Sequence, residues 1–512
     1  MKDYPLGVQT FEKIIANDLL YIDKTKSIHA LIRTGGYYFY ARPRRFGKSL
    51  TLSTIRAIYE GKKDLFEGLW IANQWDWSKV HPIIHLGFSS MNYQDKSLDA
   101  AIADRLKMAA KEHGLQLEKE YAKDLFFEFI VSLAKQKGKV VLLLDEYDKP
   151  IIDYLGQIEL AKKNRDTLKA FYSVIKDCDP YIEFMMITGV SKFSKVSIFS
   201  ELNNLTDITF HRRYSTLTGI TQQELETHFD AAIMAIAKEM DTTPAALKQE
   251  IKQWYDGYSW DGKHFLYNPY SILSFFDFVA FKNFWFETGT PSFLLDLMSR
   301  QEKISVNNIK VSNVIFSAYN IEHLESIAIL FQTGYLTIKK RENHDIYLLD
   351  YPNLEVRDSM MQYLISDLSH EETPFSKPMV LKIKTVLEHK QLEELIRLIK
   401  SIFKNIPNQI FQAKHEFYYH SLIYLVFFYL GDFMESEVNT NDGRLDAVVK
   451  TSRYIYVLEF KLDKSGKTAL EQIKTKGYAE KYYGDEREKI LIGINFSSKA
   501  KIIDDWAFEI LN

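Results

Sequence analysis

Four short apolar runs, Tyr37–Ala41, Ile83–Phe88, Val140–Leu144 and Phe184–Thr188, constrain the first half of this chain. Between them lie Leu50–Tyr59, Leu98–Glu112, Ala122–Ala134 and Lys162–Ile175, whose apolar residues recur every three to four positions. Strands covered on both faces read as continuous apolar runs, and helices between them imply crossovers. The expectation is an α/β domain with a largely parallel, doubly wound sheet.

The first run leads straight into Arg42-Pro43-Arg44-Arg45-Phe46-Gly47-Lys48-Ser49 and then into a helix. Strand, loop and helix in that order suit phosphate: loop and helix N–H groups hold its oxygens, Lys48 reaches the terminal phosphates, and the Ser49 hydroxyl ligates Mg²⁺. Gly47 permits close backbone approach, and Arg45, Phe46 and Leu50 complete the expected nucleotide-binding stretch. Arg42 stands where the usual loop has its first glycine, which predicts a loop of different shape or poorer binding. Arg44 and Arg45 suit either a phosphate contact or a solvated, acid-paired role.

The third run ends in Asp145-Glu146, a carboxylate to hold a magnesium water shell followed by one to polarise an attacking water. Thr188 and Ser191 follow the fourth run, where hydroxyls would sense a terminal phosphate, and Arg212 and Arg213 are candidate arginine fingers.

At roughly 150 residues per domain, 512 residues make about three domains. Hydrophobic residues at 46% and charged residues at 26% exclude a disordered, collagenous or disulfide-scaffold protein. A net charge of -3 means that any nucleic acid must be held by a local basic surface. The lone Cys178 can form neither an internal disulfide nor a cysteine-based zinc site, which suits a reducing, cytoplasmic setting. Its neighbours Asp177 and Asp179 would raise the thiol pKa rather than activate it. Met1–Pro5 has no basic region followed by an apolar one, and the longest strongly apolar run, Leu422–Leu430, is about half a membrane span, so neither a signal peptide nor a transmembrane helix is expected.

From about Gln222 the strand signal fades. Helices follow, with an aromatic turn at Trp254-Tyr255-Asp256-Gly257-Tyr258 and a helix start at Asn268-Pro269. Glu325–Thr333 reads as a helix, and Tyr335–Lys339 with Asp345–Leu349 as a hairpin, together a winged-helix-like region. A helical stretch, Pro378–Lys404, precedes renewed alternation of strands and helices. The boundaries expected are 1–221, 222–375 and 376–512.

Near the C-terminus, Gly443–Val449 and Tyr454–Lys461 read as strands joined by Lys450-Thr451-Ser452-Arg453. The two-residue repeat puts Glu459 and Lys461 on one face, and a turn centred on Thr451-Ser452 would set Asp446 opposite Val457, about one pair from Glu459. Two carboxylates and a lysine suit metal-assisted phosphodiester hydrolysis. Asp446, Glu459 and the Phe460 carbonyl would ligate Mg²⁺ while Lys461 positions or deprotonates the water. Glu416 offers a further carboxylate, and Gln472 and Tyr478 contacts to a nucleic-acid backbone. Within Arg444–Lys481 nine Lys/Arg face five acids, a local basic surplus.

Each feature has a plainer reading. An exposed strand also alternates charges, and a lysine-rich helix is also a solvated face. Glu416 and His420 are four apart, which without a third ligand describes a helix-face contact. His81 and His85 read as structural, and the aromatics of Trp254–Trp260 fit an interdomain core more readily than a base-stacking surface.

Gly7-Val8 followed by Phe11, then Tyr21-Ile22-Asp23-Lys24-Thr25, the Arg42–Leu50 loop and Tyr255-Asp256-Gly257-Tyr258 resemble the bacterial AAA-ATPase-like proteins that carry a C-terminal PD-(D/E)XK nuclease domain. The resemblance covers nearly the whole chain. It implies an AAA-like P-loop NTPase domain, a helical and winged-helix-like middle, and a restriction-endonuclease-like α/β domain. The Arg42-type loop is the ordinary form in that family. Asp446 matches the first acid of the nuclease signature and Glu459-Phe460-Lys461 its ExK part, with Glu416, Gln472 and Tyr478 at positions often found around that site. The expected cofactors are ATP and Mg²⁺. The expected partner is nucleic acid, DNA ahead of RNA, with no membrane and room for a homo-oligomer. The alternative is a nucleotide-dependent signalling or defence switch whose C-terminal domain binds nucleic acid without cutting.

Overall fold

The computed structural model describes residues 2–192, 198–199, 202, 204–286, 308–316, 326–369, 373–403, 415–441, 444–499 and 502–511. Contacts divide the described residues into two units, one reaching Val356 and the other starting at Arg357.

The first unit is built on a sheet of β1 (Gly36–Ala41), β2 (Ile83–Gly87), β3 (Val140–Asp145), β4 (Ile182–Gly189) and β5 (Leu205–Asp207) in the order β2-β3-β4-β1-β5. Every pairing is parallel. The four apolar runs are strands within a residue or two of their sequence bounds because both faces of this sheet are covered. Helices α1 (Lys48–Tyr59), α2 (Leu98–Glu112), α3 (Ala122–Lys137) and α4 (Ile158–Ser173) make the connections. β4 lies between β1 and β3, so Ala41, Thr188 and Asp145 end neighbouring strands at the carboxyl edge, where open α/β sheets bind ligands.

The same unit continues through α5 (Gln222–Glu239), α6 (Pro244–Tyr255), α7 (Pro269–Phe278) and α8 (Ser326–Thr333). A capping box between Thr221 and Glu224 starts α5. Asn268 caps α7 by accepting from the N–H groups of Tyr270 and Ser271, with Pro269 in the first turn. The expected hairpin is present as β7 (Thr337–Arg341) and β8 (Ile346–Asp350). A further strand, β6 (Ile309–Ser312), pairs with β8 to give an antiparallel sheet ordered β6-β8-β7. Four residues are too few to show a period in the sequence.

The boundary between the units falls within α9 (Leu354–Ser369). The stretch expected as one helix over Pro378–Lys404 is two, α10 (Thr373–Glu388) and α11 (Leu392–Ile402), with Pro378 inside the first. Lys390, at φ 55°, turns the chain between them. After α12 (His415–Leu430) comes a sheet of β9 (Glu435–Asn441), β10 (Arg444–Lys450), β11 (Tyr454–Leu462), β12 (Glu488–Ser497) and β13 (Ile502–Leu511), ordered β13-β12-β11-β10-β9. Its pairings are antiparallel except β11 with β12, which α13 (Gly466–Thr475) connects. Among the described residues no helix is long and apolar enough to cross a membrane.

Candidate functional site

The residue replacing the first glycine of the phosphate loop is turned into the protein. Arg42 is fully buried; its guanidinium donates to the carbonyls of Ala41 and Thr209, each at 2.9 Å, and of Ser215 at 3.5 Å. It lies between the rings of Tyr40, at 4.4 Å, and Trp260, at 3.9 Å. Next in the loop, the Arg44 carbonyl accepts from Trp285 Nε1 at 3.1 Å and Asn268 Nδ2 at 3.4 Å. Phe46 is buried edge-on against Tyr258 and Trp260. The aromatic turn after α6 is therefore a clamp on this loop, the role that the sequence left between core and base stacking.

Gly47, left-handed at φ 88°, precedes α1 and offers no side-chain cap. The first N–H groups of a helix have no intrahelical acceptor, so this end is suited to an anion. Lys48 is buried, and its ammonium donates to the carbonyls of Arg42 and Pro43, both at 2.9 Å. Burial lowers its pKa, opposed by the charges of Asp145, Glu146 and Asp148.

Asp145 gathers the neighbouring strand ends. Its Oδ2 accepts from Ser49 Oγ at 2.5 Å and its Oδ1 from Thr188 Oγ1 at 2.5 Å. The Ser49 and Asp145 oxygens are hard donors in contact with each other, a set that fits Mg²⁺. Glu146 follows at φ 53°, a left-handed conformation rare for a residue without a short polar side chain. Ser191 is engaged elsewhere: its N–H and hydroxyl both donate to Asp148 Oδ2 at 2.6 Å. Asp148, buried and with its pKa raised by that burial, is a carboxylate of this region that the sequence reading missed. A side chain on Gly189 would collide with Tyr147 and Asp148, so that glycine was the available signal.

A cavity of about 390 Å³ is lined by Arg44 to Leu50, Glu146 and Asp148, together with Pro5 to Gln9 and Tyr270. Its size lies within the usual range for small-molecule sites, about 300–1,000 Å³. Asp145, Thr188 and Ser191 are not among its lining residues. Arg212 and Arg213 are exposed and away from the cavity, with Arg213 over the Tyr214 ring. His81 bonds the Lys139 carbonyl through Nδ1, as a structural histidine does. Cys178 is buried, and burial, then Asp177, push its pKa up to about 12.

In the second unit the hairpin register departs from expectation. Asp446 pairs directly with Glu459, not with Val457. The cause is the turn: the Thr451 hydroxyl accepts from the N–H groups of Arg453 and Tyr454, while Thr451 N–H donates to the Tyr454 carbonyl. This centres the turn on Ser452-Arg453, one residue later than expected.

Glu459 is fully buried, and its Oε1 accepts from Lys461 Nζ at 2.9 Å and Gln472 Nε2 at 2.6 Å. Gln472 lies on α13, which presses onto β12 at Gly493, the register partner of Glu459. A Cβ at Gly493 would lie 2.1 Å from the Gly466 carbonyl oxygen. That glycine, missed in the sequence, brings Gln472 to Glu459. Tyr478 packs against the apolar cluster of Val448, Val457, Ile473 and Leu491. The side chains of Glu416, His420, Arg444 and Asp446 lie outside the described residues.

The basic surplus is smaller in space than in sequence. Lys450 pairs with Glu435 and Lys474 with Glu509, acids outside the counted stretch. Among the described residues no group of three His, Cys, Asp or Glu could hold a metal ion. Mg²⁺ takes one or two protein carboxylates and keeps several waters, so it does not require such a group of three.

Comparisons with known proteins agree with both halves of this geometry. Residues 5–199 match the model of the predicted AAA-ATPase family, and residues 414–506 that of the PD-(D/E)XK nuclease superfamily. A parallel sheet with a phosphate loop, followed by a nuclease-type sheet, defines an AAA-ATPase-like protein with a C-terminal nuclease-superfamily domain. The chain belongs to that family. It is 37% identical over 525 residues to the "Uncharacterized protein in vnfD 5'region" of Azotobacter chroococcum mcd 1, covering 100% of this chain and 99% of that protein.

Proposed function

We propose that the chain binds and hydrolyses ATP in its first unit and, under nucleotide control, cleaves nucleic-acid phosphodiester bonds in its second. The observation that carries the nuclease reading is the direct pairing of Asp446 with Glu459. Like charges opposite one another destabilise a sheet unless a cation lies between them. Lys461 is paired with Glu459, and a divalent ion would neutralise a second carboxylate at that register position.

Residues 1–221 would serve as the ATPase, 222–375 as helical lid and winged-helix-like region, and 376–512 as the nuclease. In the ATPase, Gly47 and the first turn of α1 receive the phosphates, Lys48 leaves its carbonyls for the terminal phosphates, and Ser49 and Asp145 hold Mg²⁺. Glu146 orients the attacking water, and Thr188 fixes the orientation of Asp145. In the nuclease, Asp446 and Glu459 hold Mg²⁺, which when bound supplies Lewis acidity to the phosphate and acidifies a water. Lys461 places that water or stabilises the developing charge, and Gln472 keeps the Glu459 carboxylate in place. Glu416 and Tyr478 are accessory, the latter through packing.

Cleavage of labelled single- and double-stranded DNA and RNA with Mg²⁺, with and without ATP, tests this reading. Wild type should give product that Glu459→Ala abolishes and Lys48→Ala makes indifferent to ATP. A protein that binds ATP and nucleic acid yet cuts no substrate is a nucleotide-dependent binding switch instead.

A further inference from the structure

The ATP-binding reading explains the polar residues that line the 390 Å³ cavity but not Pro5, Val8, Tyr270 and Leu273, apolar or aromatic side chains that line it too. A half-buried tyrosine faces that space, and its ring is already in use. The guanidinium of Arg45 lies 4.5 Å from the Tyr270 ring centroid.

The position of that ring relative to the phosphate loop is fixed. Asn268 donates to the Arg44 carbonyl at 3.4 Å through Nδ2, and through Oδ1 accepts from the Tyr270 N–H at 2.9 Å. One side chain thus ties the loop to the first turn of α7. Arg45 is exposed and holds a left-handed backbone conformation, φ 65°, so a contact made by its side chain can be exchanged without unpacking a core.

Resting on the ATP-binding reading, we propose that Tyr270 is the platform on which the nucleobase stacks and that Arg45 holds its place until a nucleotide arrives. A flat, delocalised cation and a flat heteroaromatic base make the same demand on a ring face. When the base takes the face, Arg45 turns toward the phosphates of the same ligand, where its charge is of more use. The ligand class is a nucleoside triphosphate with a purine base, which covers the ring more fully than a pyrimidine does.

Calorimetric titration of the full-length protein with Mg-ATP and with Mg-tripolyphosphate, which has no base, tests this. Tyr270→Ala should weaken ATP about 5- to 150-fold, the range for losing one base–aromatic stack. Tripolyphosphate affinity should be unchanged, and Tyr270→Phe should restore ATP. Arg45→Ala should weaken both ligands. Equal weakening of both by Tyr270→Ala, or of neither, overturns the platform. Unaltered binding in Arg45→Ala overturns the exchange. If wild type binds neither ligand, the ATP reading itself has failed and the platform with it. Photolabelling of wild type with 8-azido-ATP needs no variant: label on the peptide carrying Tyr270 or on residues 5–9 is expected, and label confined elsewhere overturns the proposal.

Discussion

Adding one methyl group at Gly493 should uncouple the nuclease-type site from the helix that supports it. A Cβ there would lie 2.1 Å from the Gly466 carbonyl oxygen and 2.5 Å from the Leu470 nitrogen, both backbone atoms that no rotamer change can move. Ordinary contact begins at 3.4 Å, so α13 must withdraw by about 1.3 Å. The 2.6 Å bond from Gln472 to Glu459 then stretches to about 3.9 Å and is no longer a hydrogen bond. Overpacking costs about 1–3 kcal/mol and a hydrogen bond to a charged group about 1.5–3 kcal/mol, roughly 3–5 kcal/mol together. At about 2–4 °C per kcal/mol for a unit of this size, Tm of the second unit should fall by roughly 10 °C. The assay is thermal unfolding of the full chain beside Gly484→Ala, whose added methyl meets nothing within 4 Å. If Gly493→Ala melts within about 2 °C of wild type, the close approach does not position Gln472 and the reasoning is refuted.

Two further outcomes follow from named contacts. Arg42→Gly, which restores the usual loop glycine, removes three hydrogen bonds and two ring contacts; it should lower stability by about 3 kcal/mol or more without tightening nucleotide binding. Unchanged Tm with tighter binding would count against the buried-anchor role. Burial, together with Asp358, raises the Asp432 pKa from 3.8 to about 6, despite Arg357 at 2.7 Å. A carboxyl whose pKa rises on folding stabilises the fold below the unfolded value and loses that contribution as pH climbs through the folded one. Wild type should therefore lose about 2 kcal/mol relative to Asp432→Asn between pH 4 and 7, read by urea unfolding at both pH values, and a constant difference would refute it.

The parallel strands were legible because burial on both faces leaves an uninterrupted apolar run, and Val140–Leu144 is fully buried as that run demands. The helix start at Asn268-Pro269 was legible for a local reason, a cap followed by a residue with no N–H to lose. What stayed hidden depends on contacts distant in sequence. Nothing near Arg42 says that its partners are Thr209, Ser215 and Trp260. Asp148 reads as one more loop acid until Gly189 is seen to make room for it. The register error was local but subtle: one threonine hydroxyl moved the turn by a residue and changed the partner of Asp446 from an apolar residue to an acid.

The burial of Arg42 bears on how such a chain can be cut or recombined. The matched ATPase segment ends at residue 199, yet the groups that fix its phosphate loop lie at Thr209, Ser215, Tyr258, Trp260, Asn268 and Trp285. A fragment ending at 199 would keep every residue of the nucleotide motif and leave a guanidinium and a phenyl ring facing water. The loop is thus not a portable cassette. Its inheritance unit runs at least to Trp285, and a chimera that joins this motif to a foreign middle region must supply an aromatic clamp of matching shape.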